Sequence, residues 1–336
     1  MDSSPEAVLV VGGAGYIGSH AALTLKRQGF LPVLFDNFFR GNRFVSEEVS
    51  CPLVEGSIND SATLLAIFER WKPIAVMHFA AKAYVGESVS APLPYYETNV
   101  GGLITLLSAM RTKGIRRLIF SSTCATYGCP STTPISENTP QLPINPYGRS
   151  KLMAEEIIAD ACASSDLKAV VFRYFNAAGA DHSGRIGELH RPETHLIPLA
   201  FKAVAHGVPL VIFGNDYPTK DGTCVRDYIH VNDIAEAHTL GLQHLLTGGN
   251  SLTVNLGHGS GYSIIDVLKM VAAVTGKPVP TKIGKRRPGD PPILIADASR
   301  AYKFLGWSPT QSDLRTIVES AWNWHQSEIG QEGIIP

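Results

Sequence analysis

The stretch that decides the fold is Val8-Leu9-Val10-Val11-Gly12-Gly13-Ala14-Gly15-Tyr16-Ile17-Gly18, an apolar run followed at once by a glycine-rich turn. The apolar run predicts a buried strand, and the spacing over residues 19–28 predicts a helix after the turn. Small residues let a backbone approach a pyrophosphate, and a helix N-terminus offers unpaired N–H groups. A purely structural turn would need the same glycines, so the strand-turn-helix context carries the prediction of a dinucleotide site.

The same alternation of short apolar runs and helical stretches continues through the first half of the chain. It predicts an α/β fold, a Rossmann-type doubly wound parallel sheet. The predicted strands are 8–11, 33–35, 75–78, 118–121 and 169–172, and the predicted helices are 19–28, 61–70, 95–110 and 147–164.

After Asn176 the composition changes, and glycine, histidine and proline follow in irregular order, which is typical of a binding lobe. A strand at 253–255, after a helix at 232–246, predicts a late return to the sheet. We therefore expect a dinucleotide-binding domain over residues 1–176 with a return segment at about 231–258. A smaller, discontinuous substrate-binding lobe would comprise 177–230 and about 259–336.

Composition excludes several classes of protein. Of the 336 residues 44% are hydrophobic and 18% charged, and the net charge is −1, which is typical of a globular protein with neither a nucleic-acid nor a membrane partner. The acidic start, Met1 to Glu6, and the lack of a long apolar run predict no targeting or membrane segment. Scattered cysteines without a CxxC pair predict a reducing cytoplasm and no metal site; they are Cys51, Cys124, Cys129, Cys162 and Cys224.

Asp36 ends the second predicted strand, 18 residues after Gly18. A carboxylate there would accept hydrogen bonds from an adenosine ribose and repel a 2′-phosphate, which favours NAD over NADP. The alternative is that Asp36 and Asn37 only cap a turn. Arg40 and Arg43 nearby leave NADP open.

Tyr147 and Lys151 are four residues apart, so they share one face of the predicted helix. A nearby ammonium favours the phenolate, and we expect Lys151 to lower the Tyr147 pKa and make it a base. Chance supplies such a pair often, and its alternative is a solvated helix face. The position of the pair in the chain strengthens the prediction of a base, because the preceding strand ends at Ser121. It therefore brings Ser122 or Thr123 to the crevice at the carboxyl edge of the sheet.

These residues and several further motifs resemble the extended short-chain dehydrogenase/reductases, and within them the UDP-galactose 4-epimerases and the similar UDP-arabinose epimerases. The resemblance spans nearly the whole chain. Its motifs are Gly12 to His20, Arg173-Tyr174-Phe175-Asn176, Arg226-Asp227-Tyr228-Ile229-His230-Val231, Asn255-Leu256-Gly257 and Arg286-Arg287-Pro288-Gly289-Asp290.

The resemblance implies an NAD-dependent 4-epimerase that interconverts UDP-glucose and UDP-galactose through a 4-keto intermediate, with NAD held permanently. Tyr147 would take the 4-hydroxyl proton, Lys151 would bind the nicotinamide ribose, and Thr123 would hydrogen-bond the reacting oxygen. A UDP-xylose/UDP-arabinose 4-epimerase is an alternative, as are net oxidoreduction with released NAD(P) and a non-catalytic NAD(H)-binding redox sensor. The resemblance also implies a homodimer that pairs helices near 93–110 and 147–163.

The resemblance assigns further residues to the two ligands. The cofactor contacts it implies are Gly12, Gly15, Tyr16, Ile17, Gly18, Asp36, Asn37, Ser57, Ile58, Phe79, Ala80, Ala81, Asn99, Ser121, Tyr147, Lys151 and Tyr174. The substrate contacts are Thr123, Tyr147, Asn176, His195, Leu196, Phe213, Arg226, Tyr228, Arg287, Asp290 and Leu294. Guanidinium groups among these suit a diphosphate.

The chain departs from the family at several positions. Ser57 replaces an aspartate, Lys82 stands one place early, and His195 replaces an asparagine. Cys124-Ala125 stands where dehydrating relatives carry acids, which favours epimerisation. Leu294 stands where many hexose-restricted enzymes have a tyrosine, so we expect room for N-acetylated or pentose sugars.

Overall fold

The computed structural model describes residues 5–287 and 290–331, without the side chains of Glu328 and Gln331. Two expectations therefore fall partly outside the described residues, namely the N-terminal start at 1–4 and Pro288-Gly289 of the arginine motif. The strands are β1 Ala7–Val11, β2 Leu31–Asp36, β3 Leu53–Glu55, β4 Ala75–His78, β5 Arg117–Thr123, β6 Lys168–Tyr174, β7 Asn176–Ala178, β8 Leu210–Phe213, β9 Val225–His230, β10 Leu252–Leu256, β11 Gly261–Ser263, β12 Thr281–Gly284 and β13 Ile293–Leu294.

Helices alternate with these strands. They are α1 Tyr16–Arg27, α2 Phe44–Val49, α3 Ser61–Trp71, α4 Val85–Ser90, α5 Leu93–Tyr96, α6 Gly102–Lys113, α7 Pro146–Ala163, α8 Leu196–His206, α9 Val231–Leu246, α10 Ile264–Thr275, α11 Ser299–Leu305, α12 Leu314–His325 and α13 Glu328–Gln331. In the described part of the chain, no helix is both long and apolar enough to span a bilayer.

The chain forms two compact units. Unit 1 comprises Met1–Gly128, Pro140–Arg173 and Ala235–Val254, and unit 2 comprises Cys129–Thr139, Tyr174–Ile234 and Asn255–Pro336. Which ligand each part of the chain binds stays a prediction.

Unit 1 is built on a seven-stranded sheet in the order β10-β6-β5-β4-β1-β2-β3. The pairs β1 with β2, β1 with β4, β2 with β3 and β4 with β5 are parallel. Strand order reverses beside β1, so a crevice opens at the carboxyl ends of β1 and β4, where ligands bind in such sheets. The predicted doubly wound Rossmann-type sheet is confirmed.

The side chains of successive strand residues alternate between the two faces of the sheet, and both faces are buried. Leu9, Val11 and Phe120 belong to a core cluster with Leu106 of α6 and Ile158 of α7. Neighbouring strand residues point the other way because side chains alternate. There Gly241 of α9 lies against the Phe172 ring, where a Cβ would come within 2.9 Å. Apolar residues on both faces explain why the strands read as continuous hydrophobic runs.

The predicted helix at 95–110 is interrupted. A π-helical turn over Glu97–Gly101 separates α5 from α6. A Cβ at Gly102 would lie 2.5 Å from Ile58 Cγ2, so α6 packs closely on the loop after β3. The buried side chain of Asn99 lies in this widened turn.

Unit 2 contains small sheets and a helical core. Strands β11, β9 and β13 are adjacent, β7 pairs with β9, and β12 pairs with β8. Helices α8, α10 and α12 form an apolar core that includes Phe201, Val271 and Ile317. Sequence periodicity predicted none of these strands, because all but the six-residue β9 have only two to four residues, which give too little pattern to read.

Candidate active site

The glycine turn of unit 1 packs backbone closely against backbone, at positions where no side chain would fit. Gly12 has φ +78°, a left-handed conformation, and a Cβ on it would lie 2.5 Å from Ala80 N. A Cβ on Gly18 would overlap the Gly12 carbonyl oxygen. Gly15 is the N-cap of α1 and provides no side-chain cap, so no capping side chain occupies the first-turn N–H groups, which include those of Tyr16 and Ile17. This cradle fits a pyrophosphate.

Asp36 lies at the carboxyl end of β2 and is buried. Its carboxylate accepts hydrogen bonds from Ala14 N at 3.0 Å and Phe38 N at 2.8 Å. Burial raises the Asp36 pKa, and these two bonds oppose the rise. The turn-cap alternative is thus a real part of its role. A carboxylate has about four acceptor positions, so capacity for ribose hydroxyls remains.

The two arginines that left NADP open are engaged elsewhere. Arg43 pairs with Glu55 at 2.6 Å, and Arg40 lies 3.7 Å from Glu87 and over the Tyr84 ring. Their charges are partly neutralised, which favours NAD.

The loop after β4 supplies the next group of predicted cofactor contacts. Phe79 N and Ala80 N both donate to the Val11 carbonyl, which ties the Phe79-Ala80-Ala81 loop to β1. Asn99 accepts from Lys82 N at 2.9 Å and donates to Lys82 O at 3.0 Å and to Ser150 Oγ at 2.9 Å. Both Asn99 N–H groups are used, so this residue positions the loop against α7.

The remaining predicted cofactor contacts lie at or after the last residues of three other strands of the sheet. Ser57 and the buried Ile58 follow β3, Asn37 follows β2, and Tyr174 is the last residue of β6. Ser57 Oγ accepts a hydrogen bond from Asn59 N at 3.3 Å. Tyr174 groups with unit 2.

Tyr147, Lys151 and Glu155 occupy successive turns of α7, and each contacts one residue at the end of β5. The Tyr147 hydroxyl hydrogen-bonds the Thr123 side chain. Lys151 Nζ donates to the Ser121 carbonyl at 2.8 Å. The Ser122 hydroxyl donates to Glu155 Oε1. Three consecutive strand residues are thus matched to positions i, i+4 and i+8 of one helix, and we call this arrangement the β5–α7 ladder.

The far end of the β5–α7 ladder is closed by a buried ion pair. Arg173 donates to both Glu155 oxygens, with Nη2 to Oε2 at 2.6 Å, and also to Tyr127 Oη at 3.0 Å and Gln141 Oε1 at 2.9 Å. Both partners are buried, so each charge depends on the other.

The prediction that Lys151 lowers the Tyr147 pKa is wrong in this structure. Burial raises the Tyr147 pKa to about 12, and the hydrogen bond with Thr123 only partly offsets that. Lys151 is itself buried, which lowers its pKa to about 7 against the opposing charge of Glu155. At neutral pH the ammonium is only partly charged, and it points to the Ser121 carbonyl.

His78 is a site neighbour that sequence reasoning missed. It ends β4, is 1% exposed, and its Nδ1 has no hydrogen-bond partner among the described residues. Burial, and then the charge of Lys151, lowers the His78 pKa to about 3. It is therefore a neutral, buried side chain near Lys151.

In unit 2, four of the predicted substrate residues line one cavity: Asn176, His195, Leu196 and Tyr228. Asn176 and Tyr228 are register partners across β7 and β9, and His195 is the N-cap of α8, whose first residue is Leu196. Burial alone would lower the His195 pKa, but Glu188 and Glu193 raise it well above its ordinary value.

The other predicted substrate residues form two further pairs in unit 2. Arg226 Nη2 contacts Asp290 Oδ1 at 2.7 Å, and Arg226 is the register partner of Leu294 across β9 and β13. The Arg287 guanidinium lies 4.0 Å from the centroid of the exposed Phe213 ring. Asp227, the next residue after Arg226, is buried, and its carboxylate accepts hydrogen bonds from backbone N–H groups, including Ala296 N at 3.0 Å.

Other residues of the site were also missed. Glu155 had a signal, since it continues the four-residue spacing of Tyr147 and Lys151. Arg173 and Gln141 had none, because only the fold brings them to Glu155. Glu188 and His190 lie in the irregular stretch that sequence patterns could not resolve.

The chain is similar to known proteins over nearly its whole length. A curated relative, UDP-glucose 4-epimerase from Rhizobium leguminosarum bv. trifolii, is 51% identical over 322 residues, which is 95% of this chain and 97% of the relative. The crystal structure of UDP-glucose 4-epimerase from Brucella ovis in complex with NAD is 50% identical, covers 94% of this chain and 97% of its own, and superposes with a TM-score of 0.91.

A third relative carries a sugar nucleotide. The crystal structure of UDP-glucose-4-epimerase from Stenotrophomonas maltophila, with bound NAD and formylated UDP-arabinopyranose, is 39% identical over 96% of this chain and 98% of its own, with a TM-score of 0.92. The profile of the family described as "NAD dependent epimerase/dehydratase family" matches residues 8–257. With the NAD-compatible cradle and the β5–α7 ladder, these matches establish that the chain belongs to the NAD dependent epimerase/dehydratase family.

Proposed function

We propose that the protein is an NAD-dependent UDP-glucose 4-epimerase that interconverts UDP-glucose and UDP-galactose through a 4-keto sugar. The observation that carries this proposal is the β5–α7 ladder, in which the Tyr147 hydroxyl, a Thr123 hydroxyl and a buried Lys151 meet at the carboxyl edge of a dinucleotide-binding sheet. The curated relative at 51% identity has the same activity in its name.

The residues of unit 1 handle the proton. Tyr147 takes the proton from the sugar 4-hydroxyl and returns it when the hydroxyl re-forms, while Thr123 hydrogen-bonds Tyr147 and the reacting oxygen. NAD, when bound, supplies a hydride acceptor that is positively charged in its oxidised form. Asp36 and the N-terminus of α1 would hold its adenosine ribose and pyrophosphate. Lys151, fixed by its hydrogen bond to the Ser121 carbonyl, orients the nicotinamide ribose.

The residues of unit 2 hold the nucleotide. Arg226 and Arg287 offer guanidinium groups to the diphosphate, and the Phe213 ring beside Arg287 offers an apolar face for uracil. Asn176, His195, Leu196 and Tyr228 form the cavity wall that binds the remainder of the nucleotide sugar.

The site favours epimerisation over dehydration. Loss of water requires an additional acid or base near Thr123, and the next two residues are Cys124 and Ala125. The buried carboxylate of Glu155 accepts hydrogen bonds from Arg173 and Ser122, so both of its oxygens are already engaged. Reversible oxidation at one carbon needs only one base and one hydride acceptor.

The test is direct. Purified protein is incubated separately with UDP-galactose, UDP-N-acetylgalactosamine and UDP-xylose, without added NAD, and the C4 epimer is followed by NMR. We expect turnover, and NAD retained through gel filtration. Loss of cofactor on the column would favour net oxidoreduction, and no turnover on all three substrates would favour the redox sensor.

We propose that the sugar pocket is broader than one that accepts only glucose and galactose. Leu294 is half-buried beside Arg226, and a leucine there leaves more room than a tyrosine. The relative from S. maltophila carries a UDP-pentose derivative. N-acetylated and pentose sugars are therefore expected substrates.

We also propose a cytoplasmic homodimer. Exposed apolar residues lie on three helices of unit 1, with Leu93 on α5 76% exposed, Ile104 on α6 48% and Met153 on α7 39%. Apolar patches of this kind favour an interface with a second copy. Light scattering should give a dimer mass for wild type and a monomer for Ile104→Glu/Met153→Glu, whereas a monomeric wild type would contradict the proposal.

A further inference from the structure

Four metal-ligating side chains of unit 2 lie together on one loop. Glu188, His190, Glu193 and His195 each bring one ligand atom within 4.8 Å of the others. His195 Nδ1 lies 2.6 Å from Glu188 Oε1 and 3.0 Å from Glu193 Oε1, and His190 Nδ1 lies 3.0 Å from Glu188 Oε1. Within residues 5–287 and 290–331 this is the one group of three or more such side chains.

The loop is anchored at both ends. At its start, Trp324 Nε1 donates to the Glu188 carbonyl at 3.0 Å. At its end, Glu193 Oε1 accepts from Thr194 N at 2.6 Å and from His195 N at 2.7 Å, and His195 is the N-cap of α8. Ligands confined to eight residues between fixed ends lose little conformational entropy when they bind an ion.

The donor set selects a class of ion. Two imidazole nitrogens and two carboxylates suit a divalent ion of the first transition series, whereas Mg²⁺ and Ca²⁺ prefer oxygen ligands alone. Zn²⁺ bonds of about 2.0–2.2 Å in a tetrahedron place ligand atoms about 3.3 Å apart. The four separations between a histidine nitrogen and a carboxylate oxygen run from 2.6 Å for His195 and Glu188 to 3.8 Å for His190 and Glu193 and bracket that value, and all the ligand atoms lie within 4.8 Å of one another.

A second observation comes from a neighbouring histidine. His325 is 2% exposed, lines the same cavity as Glu188 and His195, and its Nε2 has no hydrogen-bond partner among the described residues. A buried imidazole nitrogen without a partner is costly, so this nitrogen would be stabilised by a ligand in the cavity.

We propose that Glu188, His190, Glu193 and His195 form a binding site for one divalent transition-metal ion, with Zn²⁺ preferred. Both histidine Nδ1 atoms now face carboxylates, and a dication would replace the protons between them while two carboxylates balance its charge. Four protein ligands make a closed, structural site. The ion would fix the start of α8, and with it His195 and Leu196. This departs from the expectation of no metal and does not depend on the proposed function.

The test uses the full-length protein, treated with a chelator, dialysed and titrated with Zn²⁺ alone. Bound metal is measured by mass spectrometry of the protein fraction after gel filtration. We expect one equivalent per chain, and His190→Gln should weaken binding by more than the roughly 10- to 100-fold that losing an outer-shell partner causes. His206→Gln, an exposed histidine at the end of α8, is the matched control and should bind like wild type.

A spectroscopic variant makes the result decisive. With Co²⁺ in place of Zn²⁺, the wild type should show the visible absorption of tetrahedral cobalt. His190→Cys should add a thiolate-to-cobalt charge-transfer band, which requires residue 190 to be a ligand. Absence of stoichiometric binding by the wild type, equal binding by folded His190→Gln, or no such band with Cys at position 190 would each overturn the proposal and leave a hydrogen-bonded ion cluster only.

Discussion

The β5–α7 ladder of unit 1 and the predicted nucleotide-binding residues of unit 2 are built in different ways. The ladder comes from three consecutive residues of one strand and three positions of one helix, joined by direct hydrogen bonds. The unit 2 residues come from separate short strands, a helix start and loops, and the contacts described above join them in pairs. Regular elements hold reacting groups at fixed distances, whereas loops allow one fold to accept different ligands.

The largest expected effect tests the contact between Tyr147 and Thr123 in the β5–α7 ladder. Tyr147→Phe removes the hydroxyl that transfers the proton, so kcat on UDP-galactose should fall roughly 10³-fold with little change in KM. Tyr95→Phe is the control, because that buried hydroxyl donates to the Tyr84 carbonyl at 2.7 Å. A Tyr147→Phe enzyme with more than a tenth of wild-type kcat would show that another group is the base.

The buried carboxylate of Glu155 should affect both the free energy of unfolding and the pH dependence of the reaction. Glu155→Gln leaves Arg173 as an unpaired buried charge, at a cost of roughly 3 kcal/mol in the free energy of unfolding. The Glu155 charge also opposes the lowering of the Lys151 pKa, so its removal should move the alkaline limb of the kcat–pH profile to lower pH.

Exposed Glu156→Gln is the matched control for Glu155→Gln and should change neither property. Urea denaturation and the pH profile separate the two roles. If Glu155→Gln were destabilised with an unmoved profile, Glu155 would support the fold without tuning Lys151.

His78 gives a pH-dependent stability effect behind the ladder. The His78 pKa is about 3 in the folded chain and about 6.5 when free. Between these two pH values only the unfolded chain binds the extra proton, so the free energy of unfolding decreases as the pH is lowered. At pH 5 the loss is about 2 kcal/mol relative to pH 7. His78→Leu should lack this loss in urea titrations, while His206→Gln should keep it. Parallel pH curves for wild type and His78→Leu would contradict a neutral His78.

The smallest expected effect concerns the predicted sugar-binding residues of unit 2. Leu294→Tyr should narrow the sugar pocket and lower the ratio of N-acetylated to plain hexose turnover, roughly 10-fold. The volume-conserving Leu294→Met should leave the ratio close to wild type. An unchanged ratio for Leu294→Tyr would mean that other residues set the pocket volume.

The sequence predicted unit 1 well, because its signals are local. The strand-turn-helix of Val8 to Gly18 and the spacing of Tyr147 and Lys151 each follow from a few neighbouring residues. It predicted the Tyr147 pKa wrongly, because spacing reports which groups are near but says nothing of burial. The Glu155–Arg173 pair and the unpaired nitrogen of His78 were invisible for the same reason.

By itself, then, the sequence determined the parallel sheet, the cofactor cradle and the face of α7 that carries the chemistry, since periodicity and glycine spacing depend only on backbone geometry. Only the tertiary structure decided what surrounds those groups: which charges are buried, which hydroxyl meets which carboxylate, and that Glu188, His190, Glu193 and His195 converge. Desolvation and hydrogen bonding depend on contacts between residues far apart in the chain, and no local pattern records them.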